Sequence, residues 1–320
     1  MASSEMIAPA GDVVLVIGPE KKRFRVHSLL LCAASPVFRV MLDNQFFQEG
    51  GARSPEAPKN VALPEDDAEA LEIILNVLHY RADEVDDPLA PASVLRVAIA
   101  TDKYDLTPSL KLVIRDWLKC DGVTDATELW QLAIAACWLG NDIAFEAITR
   151  SLLQRYGGSF IKLGETDRMP PDVRVRLPAL MEERRGQLRL DLLSRFYRAG
   201  TNKDYGCLSC NWFEVRSMDY LGYFLSENNF DPWSKRCIGW KDGKLEPNIV
   251  SQISIESAIA SVNAESIEVS SVTCNKPHKD PGFKGKVQEA IREYRNSIHG
   301  LCLECVRTGD EHESHSDEGH

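Results

Sequence analysis

Apolar and polar positions near the start of the chain form two short strand-like runs. They are VVLVIG at 13–18 and KRFRVHS at 22–28, separated by a brief polar segment. Both are rich in residues that favour strands, so we predict a hairpin. A polar Gly/Pro loop at 50–60 precedes a third β-rich run, VALPE at 61–65. The pattern therefore predicts three short strands.

Helical spacing fills most of the next hundred residues. The run SLLLCAASPVFRVML is predicted to form two short helices that meet at Ser35-Pro36. Serine is favoured at the N-cap of the second helix, and proline is favoured in its first turn. After Asp66 or Asp67, apolar positions recur at i, i+3, i+4 and i+7, which predicts a helix with one apolar stripe. The stripe consists of Leu71, Ile74, Leu75 and Leu78. Two further helices are predicted, one at 92–105 and one at 110–118.

The middle of the chain predicts a helical hairpin followed by a charged helix. Asp125 and Glu128 have the spacing of a capping box at the start of the first hairpin helix, and 141–156 forms the second. A linker at 165–178 leads to a charged helix at 179–199, whose interleaved acids indicate a solvated face rather than a nucleic-acid stripe. Its expected buried edge comprises Leu180, Leu188, Leu192 and Phe196.

Composition limits the classes of function. The 320 residues are 44% apolar and carry a formal charge of −11. A chain of this length holds about two domains, and its acidity argues against nucleic-acid or anionic-membrane partners. We find no signal peptide and no apolar run long enough for a membrane span. We therefore expect a cytoplasmic or nuclear protein, or one present in both.

The N-terminal pattern resembles a BTB/POZ domain. The family's recurring core is an Asp before the first strand, F-x-V-H in the second, a small apolar helix and then S-P-V-F. These residues are present as Asp12, Phe24, Val26, His27, Ser35, Pro36, Val37 and Phe38. The resemblance implies an α+β fold, a short β-sheet flanked by α-helices, which is an interaction module that often forms homodimers and has no catalytic centre. We interpret His27 as a structural histidine, since a catalytic base needs a partner and a pocket.

Two functions follow from that resemblance. The helical hairpin is similar to the extension with which many BTB proteins grip a cullin, so a ubiquitin-ligase substrate adaptor for an unknown client is one reading. A hairpin that merely completes the fold is the other. A nuclear transcriptional cofactor is an alternative, but BTB zinc-finger repressors usually carry Arg where this chain has Ser28. Because of that difference, the corepressor pocket of those repressors is less readily inferred for this chain.

Six residues in the last third are candidate metal ligands. Two CxxC pairs are present, and a Cys-x3-His pair lies between them. Thiolates at i and i+3 can bind one Zn²⁺, and a second pair completes a tetrahedron. The candidates are Cys302, Cys305, Cys207, Cys210, Cys274 and His278. Unligated thiols and a redox dithiol are the alternatives to structural zinc.

The choice among these pairs depends on a helix predicted at 283–298. That helix would span about 24 Å, which separates Cys274/His278 from Cys302/Cys305. The geometry mildly favours Cys207/Cys210 as the partner of Cys302/Cys305, and Cys302 and Cys305 belong to both schemes. A zinc-dependent enzyme is a third function, although we find no G-x-S-x-G, P-loop or G-x-G-x-x-G motif.

The predicted organisation has five parts. They are a BTB/POZ domain at 10–120, a helical extension at 121–160, a linker and charged helix at 161–200, a mainly α-helical cysteine-rich zinc-binding domain at 201–307, and an acidic, disordered tail at 308–320. The GLCLECV box, at 300–306, is similar to one found in uncharacterised fungal BTB proteins.

Overall fold

The computed structural model describes residues 5–43, 54–165, 168–200, 238–241, 244–247, 254–264 and 283–309. The chain divides into two compact units, Met1–Ile148 and Thr149–His320. We call them unit 1 and unit 2. Within the described ranges, no helix is both long and apolar enough to cross a membrane.

Unit 1 contains a four-stranded sheet in the order β1-β3-β2-β4. The strands are β1 (Glu5–Met6), β2 (Val13–Ile17), β3 (Lys22–Val26) and β4 (Lys59–Leu63). Strands β2 and β3 form the predicted antiparallel hairpin, with Leu15 opposite Phe24. Strand β4 pairs in parallel with β2 and begins two residues before the predicted run. The parallel pairing of β1 with β3 was not predicted.

In the described part of unit 1, seven α-helices surround or extend this sheet, and the predicted helices of this region are all present. They are α1 (Ser28–Ala34), α2 (Pro36–Asp43), α3 (Ala68–Leu78), α4 (Pro91–Lys103), α5 (Thr107–Trp117), α6 (Ala126–Trp138) and α7 (Asp142–Arg155). Helix α7 begins in unit 1 and continues past the division between the units. Asp67 caps α3 by accepting from the N–H groups of Glu69 and Ala70, which settles the choice between two neighbouring aspartates.

The corner between α1 and α2 depends on Ser35. Its hydroxyl accepts from the N–H of Phe38 at 3.0 Å and donates to the carbonyl of Tyr104 at 2.6 Å. The Phe38 and Tyr104 rings stack with centroids 4.3 Å apart. The Tyr104 hydroxyl donates to Asp66 at 3.0 Å, and burial raises the pKa of Tyr104 well above its usual range. Ser35 therefore joins α2 to the end of α4.

Helix α6 is buried on almost every side. Every residue from Leu132 to Cys137 is buried, as are Leu129 and Trp130. The helix packs against α4, and the small side chains of Ala133, Ala135, Ala136 and Cys137 allow that close approach. The first half of the predicted extension is therefore an integral part of the unit 1 core.

Unit 2 contains the rest of α7 and five further helices in its described parts. They are α8 (Phe160–Leu163), α9 (Arg176–Gly200), α10 (Ile255–Ala264), α11 (Phe283–Asn296) and α12 (Leu303–Thr308). An antiparallel pair, β5 (Ile238–Lys241) with β6 (Lys244–Pro247), was not predicted. The predicted linker carries buried apolar side chains at Met169 and Val173.

Helix α9 confirms the predicted charged helix. Of its predicted edge, Leu188 and Leu192 are buried and Leu180 is half-buried, while the side chain of Phe196 lies outside the described residues. It also buries a cation that was not predicted. Arg185 donates to the carbonyl of Gly158 and to the carboxylate of Glu182, and its guanidinium lies 4.6 Å from the centre of the Phe160 ring. Glu182 in turn accepts from the N–H of Phe160 at 2.7 Å. This pair fixes the segment between α7 and α8.

Candidate functional site

Met6, Leu29 and Tyr80 are three of the large apolar side chains that unit 1 exposes to solvent. The exposed fraction is 57% for Met6 in β1, 77% for Leu29 in α1 and 89% for Tyr80 after α3. We call these three residues the apolar triad. Exposed large apolar side chains on neighbouring segments are candidates for a contact surface, because burying apolar area is favourable by about 25 cal/mol per Å².

A hydrogen bond between two histidines connects the segments that carry Leu29 and Tyr80. The backbone N–H of His27, the N-cap of α1, donates to Nε2 of His79 at 3.0 Å. Nδ1 of His79 lies 2.8 Å from the carbonyl oxygen of Leu75, and the two rings stack with centroids 6.1 Å apart. We call this contact the histidine link.

The partners of His79 determine its protonation. A carbonyl oxygen only accepts and a backbone N–H only donates, so Nδ1 carries the proton and Nε2 is the acceptor. Burial lowers the pKa of His79, and the nearby charges of His27 and Arg81 lower it further, against the opposing effect of the Leu75 hydrogen bond. His79 is therefore held in its neutral form.

A second anchor holds the start of α1. Asp12, which precedes β2, accepts from the backbone N–H of Ser28 at 2.8 Å and from its hydroxyl at 2.6 Å. A carboxylate at this end of a helix also compensates the helix dipole. Both carboxylate oxygens of Asp12 contact Ser28, the residue that stands where BTB zinc-finger repressors usually carry Arg, so Asp12 serves here as a local helix anchor.

Arg81 attaches β1 to the end of α3. Its Nη1 donates to the carbonyl oxygens of Met6 at 3.3 Å and Ile7 at 3.4 Å, and its Nη2 donates to Glu84 at 3.0 Å. The apolar triad thus lies on three segments that the histidine link and Arg81 hold together.

The backbone of Tyr80 is in the left-handed region, with φ of 59°. This conformation costs a residue with a Cβ roughly 1–2 kcal/mol, and glycine commonly occupies such a position after a helix. The side chain is exposed, so packing within unit 1 does not offset that cost. A strained residue that presents an aromatic ring to solvent is characteristic of functional surfaces.

The cysteines of the C-terminal box are less buried than Cys32 and Cys137 of unit 1. Cys302 is the N-cap of α12 and Cys305 lies in its first turn, and both are half-buried. Cys32 and Cys137 are buried in unit 1, as expected for cysteines that pack as small apolar residues. The thiols of the box are therefore closer to solvent than these core thiols.

The box is held firmly by its neighbours in unit 2. Leu303 and Val306 are buried, and the N–H of Leu301 donates to the hydroxyl of the buried Thr149 at 2.9 Å. Arg176 donates to the carbonyl of Arg307, and Gly309, with φ of 82°, ends α12. A Cβ at Gly309 would lie 3.1 Å from the Arg176 guanidinium carbon. The two cysteines are thus presented from a fixed turn.

The other four predicted ligands, Cys207, Cys210, Cys274 and His278, lie outside the described residues. In the parts of the chain that the structure describes, no group of three or more His, Cys, Asp or Glu side chains is placed to hold a metal ion. The zinc site remains a prediction in which Cys302 and Cys305 are the described members.

Sequence reasoning missed the residues that shape these sites. His79 and Tyr80 follow the predicted apolar stripe of α3, and Thr149 lies inside a predicted helix. None of these three residues belongs to a motif. His79 and Thr149 matter because of hydrogen-bond partners that lie 52 and 152 residues away in sequence, and local periodicity does not reveal such partners. The feature of the sequence that came closest to indicating this site is the aromatic residue Tyr80, which follows the end of a predicted helix.

Comparison with protein families identifies the N-terminal fold. Residues 9–114 match the BTB/POZ domain, which defines unit 1 as a protein–protein interaction module. The chain therefore contains a BTB/POZ domain, as the sequence predicts. BTB domains commonly self-associate and bind cullins, and they are generally non-enzymatic. A comparison with curated proteins found no match.

Proposed function

We propose that this protein is a homodimeric adaptor that links a cullin-type ubiquitin ligase to a client protein, acting in the cytoplasm or nucleus. The observation that carries the proposal is the BTB/POZ match at residues 9–114, followed directly by the α6–α7 hairpin. The BTB domain provides self-association and the cullin contact. Unit 2 binds the client.

The apolar triad is the proposed surface for a second copy of the chain. Its members combine large apolar area with a fixed backbone, because the histidine link and Arg81 order the segments on which they lie. Burying an exposed leucine or tyrosine stabilises a complex by about 2 kcal/mol. Since each residue occurs twice in a symmetric dimer, one substitution changes the contact at two places.

Self-association can be tested with two matched substitutions. Leu29→Glu places a charge in the proposed interface and should raise the dimer dissociation constant at least about tenfold. Leu112→Glu is the control, because Leu112 on α5 has a similar exposed fraction of 79% but lies outside the triad. Sedimentation equilibrium of the full chain gives the dissociation constants. A monomeric wild-type chain, or a Leu29→Glu chain that dimerises normally, would contradict this surface.

The cullin contact is proposed to include the start of α7. Ile143 is 84% exposed there, while Asn141 caps the helix by accepting from the N–H of Ala144 at 3.0 Å. We expect Ile143→Asp to weaken binding to a purified cullin of the class that binds BTB domains by about tenfold. Val175→Asp, at an exposed position of unit 2, should have no effect. Isothermal titration calorimetry measures both, and absence of binding by the wild-type dimer would refute the adaptor function.

We also propose that Cys302 and Cys305 provide two thiolate ligands to a structural Zn²⁺ ion. Three features support this role: the CxxC spacing, the position of both cysteines at the first turn of α12, and their half-buried state. A zinc ion binds thiolate sulfur at about 2.3 Å, so both sulfur atoms must be accessible on the same turn. The remaining ligands would be Cys207 and Cys210, or Cys274 and His278. Helix α11 has 14 residues and spans about 21 Å, which favours Cys207 and Cys210.

Metal analysis tests the zinc proposal. The purified chain should contain one zinc, and the Cys302→Ser/Cys305→Ser variant should lose both the metal and several kcal/mol of stability, because structural zinc contributes folding free energy directly. Cys32→Ala/Cys137→Ala is the control and should retain the metal, since both thiols are in the core of unit 1. Absence of metal in the wild-type chain, or unchanged stability in the Cys302→Ser/Cys305→Ser variant, would refute it.

A further inference from the structure

We propose that the histidine link is an acid-sensitive switch for self-association through the apolar triad. The inference rests on the proposed homodimer and adds its regulation. The link consists of His79, whose two ring nitrogens contact the carbonyl of Leu75 and the N–H of His27. It stands where α1 begins and α3 ends.

Protonation of His79 is incompatible with this geometry. The added proton goes to Nε2, which lies 3.0 Å from the His27 nitrogen. Two N–H donors would then face each other, and the hydrogen bond would be lost. The ring cannot exchange its nitrogens to escape, because Nδ1 already donates to Leu75 at 2.8 Å. A proton at this position therefore opens the link.

Opening the link affects all three members of the triad. Leu29 follows His27 by two residues, and Tyr80 follows His79 directly. Arg81, the next residue, holds the carbonyl of Met6. The Asp12 anchor on Ser28 does not include His79, so α1 stays folded while its first turn shifts relative to the end of α3. The dimer surface loses its order without unfolding of the domain.

The charges around His79 set the direction of the switch. His27 faces it from the start of α1, and Arg81, paired with Glu84, faces it from the segment after α3. Asp12 contacts the neighbouring Ser28, while Glu72 and Glu69 lie about two or more turns earlier on α3. Burial and the two basic groups lower the pKa of His79 from 6.5. The link is therefore intact at pH 7.5 and is lost as the pH falls below 6.5 through the lowered value.

Sedimentation equilibrium of the full chain at pH 7.5 and pH 5.0 tests the switch. The wild-type dimer dissociation constant should rise about tenfold or more at pH 5.0, because the dissociated protomer, with the link open, binds a proton at His79 more tightly than the dimer does. In His79→Gln the amide oxygen accepts from His27 and does not titrate, so the change should be less than about threefold. His27→Gln is the control for the second imidazole: it keeps the backbone N–H that donates to His79, so the pH response should persist, with a higher midpoint because the charge of His27 no longer lowers the pKa of His79.

The outcomes separate the switch from the dimer. A wild-type chain that is monomeric at pH 7.5 overturns both. A dimer whose affinity is the same at both pH values, or a His79→Gln chain with the full wild-type response, overturns the switch alone. Circular dichroism must show folded chains at pH 5.0, and global unfolding of the wild type there overturns a local switch. If the His79 variant does not fold, the ¹⁵N resonance of the wild-type His27 amide decides: it must titrate with the dissociation, and a constant shift refutes the switch.

Discussion

Ser35 shows how one buried hydroxyl can hold two elements. It caps α2 through Phe38 and reaches the carbonyl of Tyr104 at the end of α4. Alanine would leave a buried N–H and a buried carbonyl without these bonds. We expect Ser35→Ala to reduce the free energy of unfolding by about 2 kcal/mol, from a lost cap and an unsatisfied carbonyl.

Urea denaturation measures this change, with Ser109→Ala as the control. Ser109 also donates to a backbone carbonyl, that of Ala34 at 2.8 Å, but at an exposed position where water can replace it. The control should differ from the wild type by less than about 0.5 kcal/mol. Equal losses in the two variants would show that the contact with Tyr104 is not the cause.

Arg185 in unit 2, like Ser35 in unit 1, is a buried residue whose hydrogen bonds hold two segments together. Its guanidinium is buried against Phe160 and donates to Gly158 and Glu182. Replacing it with glutamine leaves the carboxylate of Glu182 without its cation, and we expect a loss of about 3 kcal/mol of stability. Arg184→Gln removes a cation that contacts Gln187 at an exposed site and should cost less than about 0.5 kcal/mol. Thermal denaturation of both variants distinguishes a buried pair from a surface charge.

At the scale of elements, α6 carries the strongest constraint in unit 1. Its small buried side chains allow close contact with α4, so a larger side chain has no space. Ala135→Leu should destabilise the chain by about 1–3 kcal/mol through overpacking. Thr127→Leu, at an exposed position of the same helix, should be nearly neutral. If Ala135→Leu were also neutral in urea denaturation, α6 would not belong to the core.

The elements that the sequence predicts are those whose signal is local. The hairpin of β2 and β3, the Ser35 corner and the apolar stripe of α3 each depend on residues within one or two turns or strands. Strand β1 has two residues, too few for any periodicity, and it exists through its pairing with β3. Strands β5 and β6 were not predicted, because GWKDGKLE shows no clear alternation of apolar residues. Its Asp-Gly pair, which is common in two-residue hairpin turns, was the signal that could have indicated them.

The candidate sites were less predictable than the helices and strands, because most of their contacts have no local sequence signal. Motif spacing identified Cys302 and Cys305, whose positions at the first turn of α12 suit the prediction. The contacts that hold them, from Thr149 and Arg176, join residues more than a hundred positions apart. His79 likewise acquires its role from His27. Such pairs depend on tertiary folding, which one sequence without homologues does not reveal.

At the scale of the whole molecule, the charge of −11 determines which partners are attracted. Phosphate backbones are repelled, so we expect no binding to duplex DNA tighter than about 100 μM at physiological salt. Fluorescence anisotropy with a labelled duplex measures this, and a basic DNA-binding protein serves as the positive control. Micromolar binding that weakens steeply with added salt would contradict the prediction and favour a nuclear role on DNA.

The left-handed backbone of Tyr80 has a consequence for anyone who engineers this chain. Glycine at that position would relieve a strain of roughly 1–2 kcal/mol, at a site where the aromatic ring adds no packing within its own unit. The single substitution Tyr80→Gly is therefore expected to raise the thermal stability of the chain. Such a variant would also lack the most exposed aromatic ring of the proposed interface, so a screen that selects for melting temperature alone would favour chains that fold better and assemble worse.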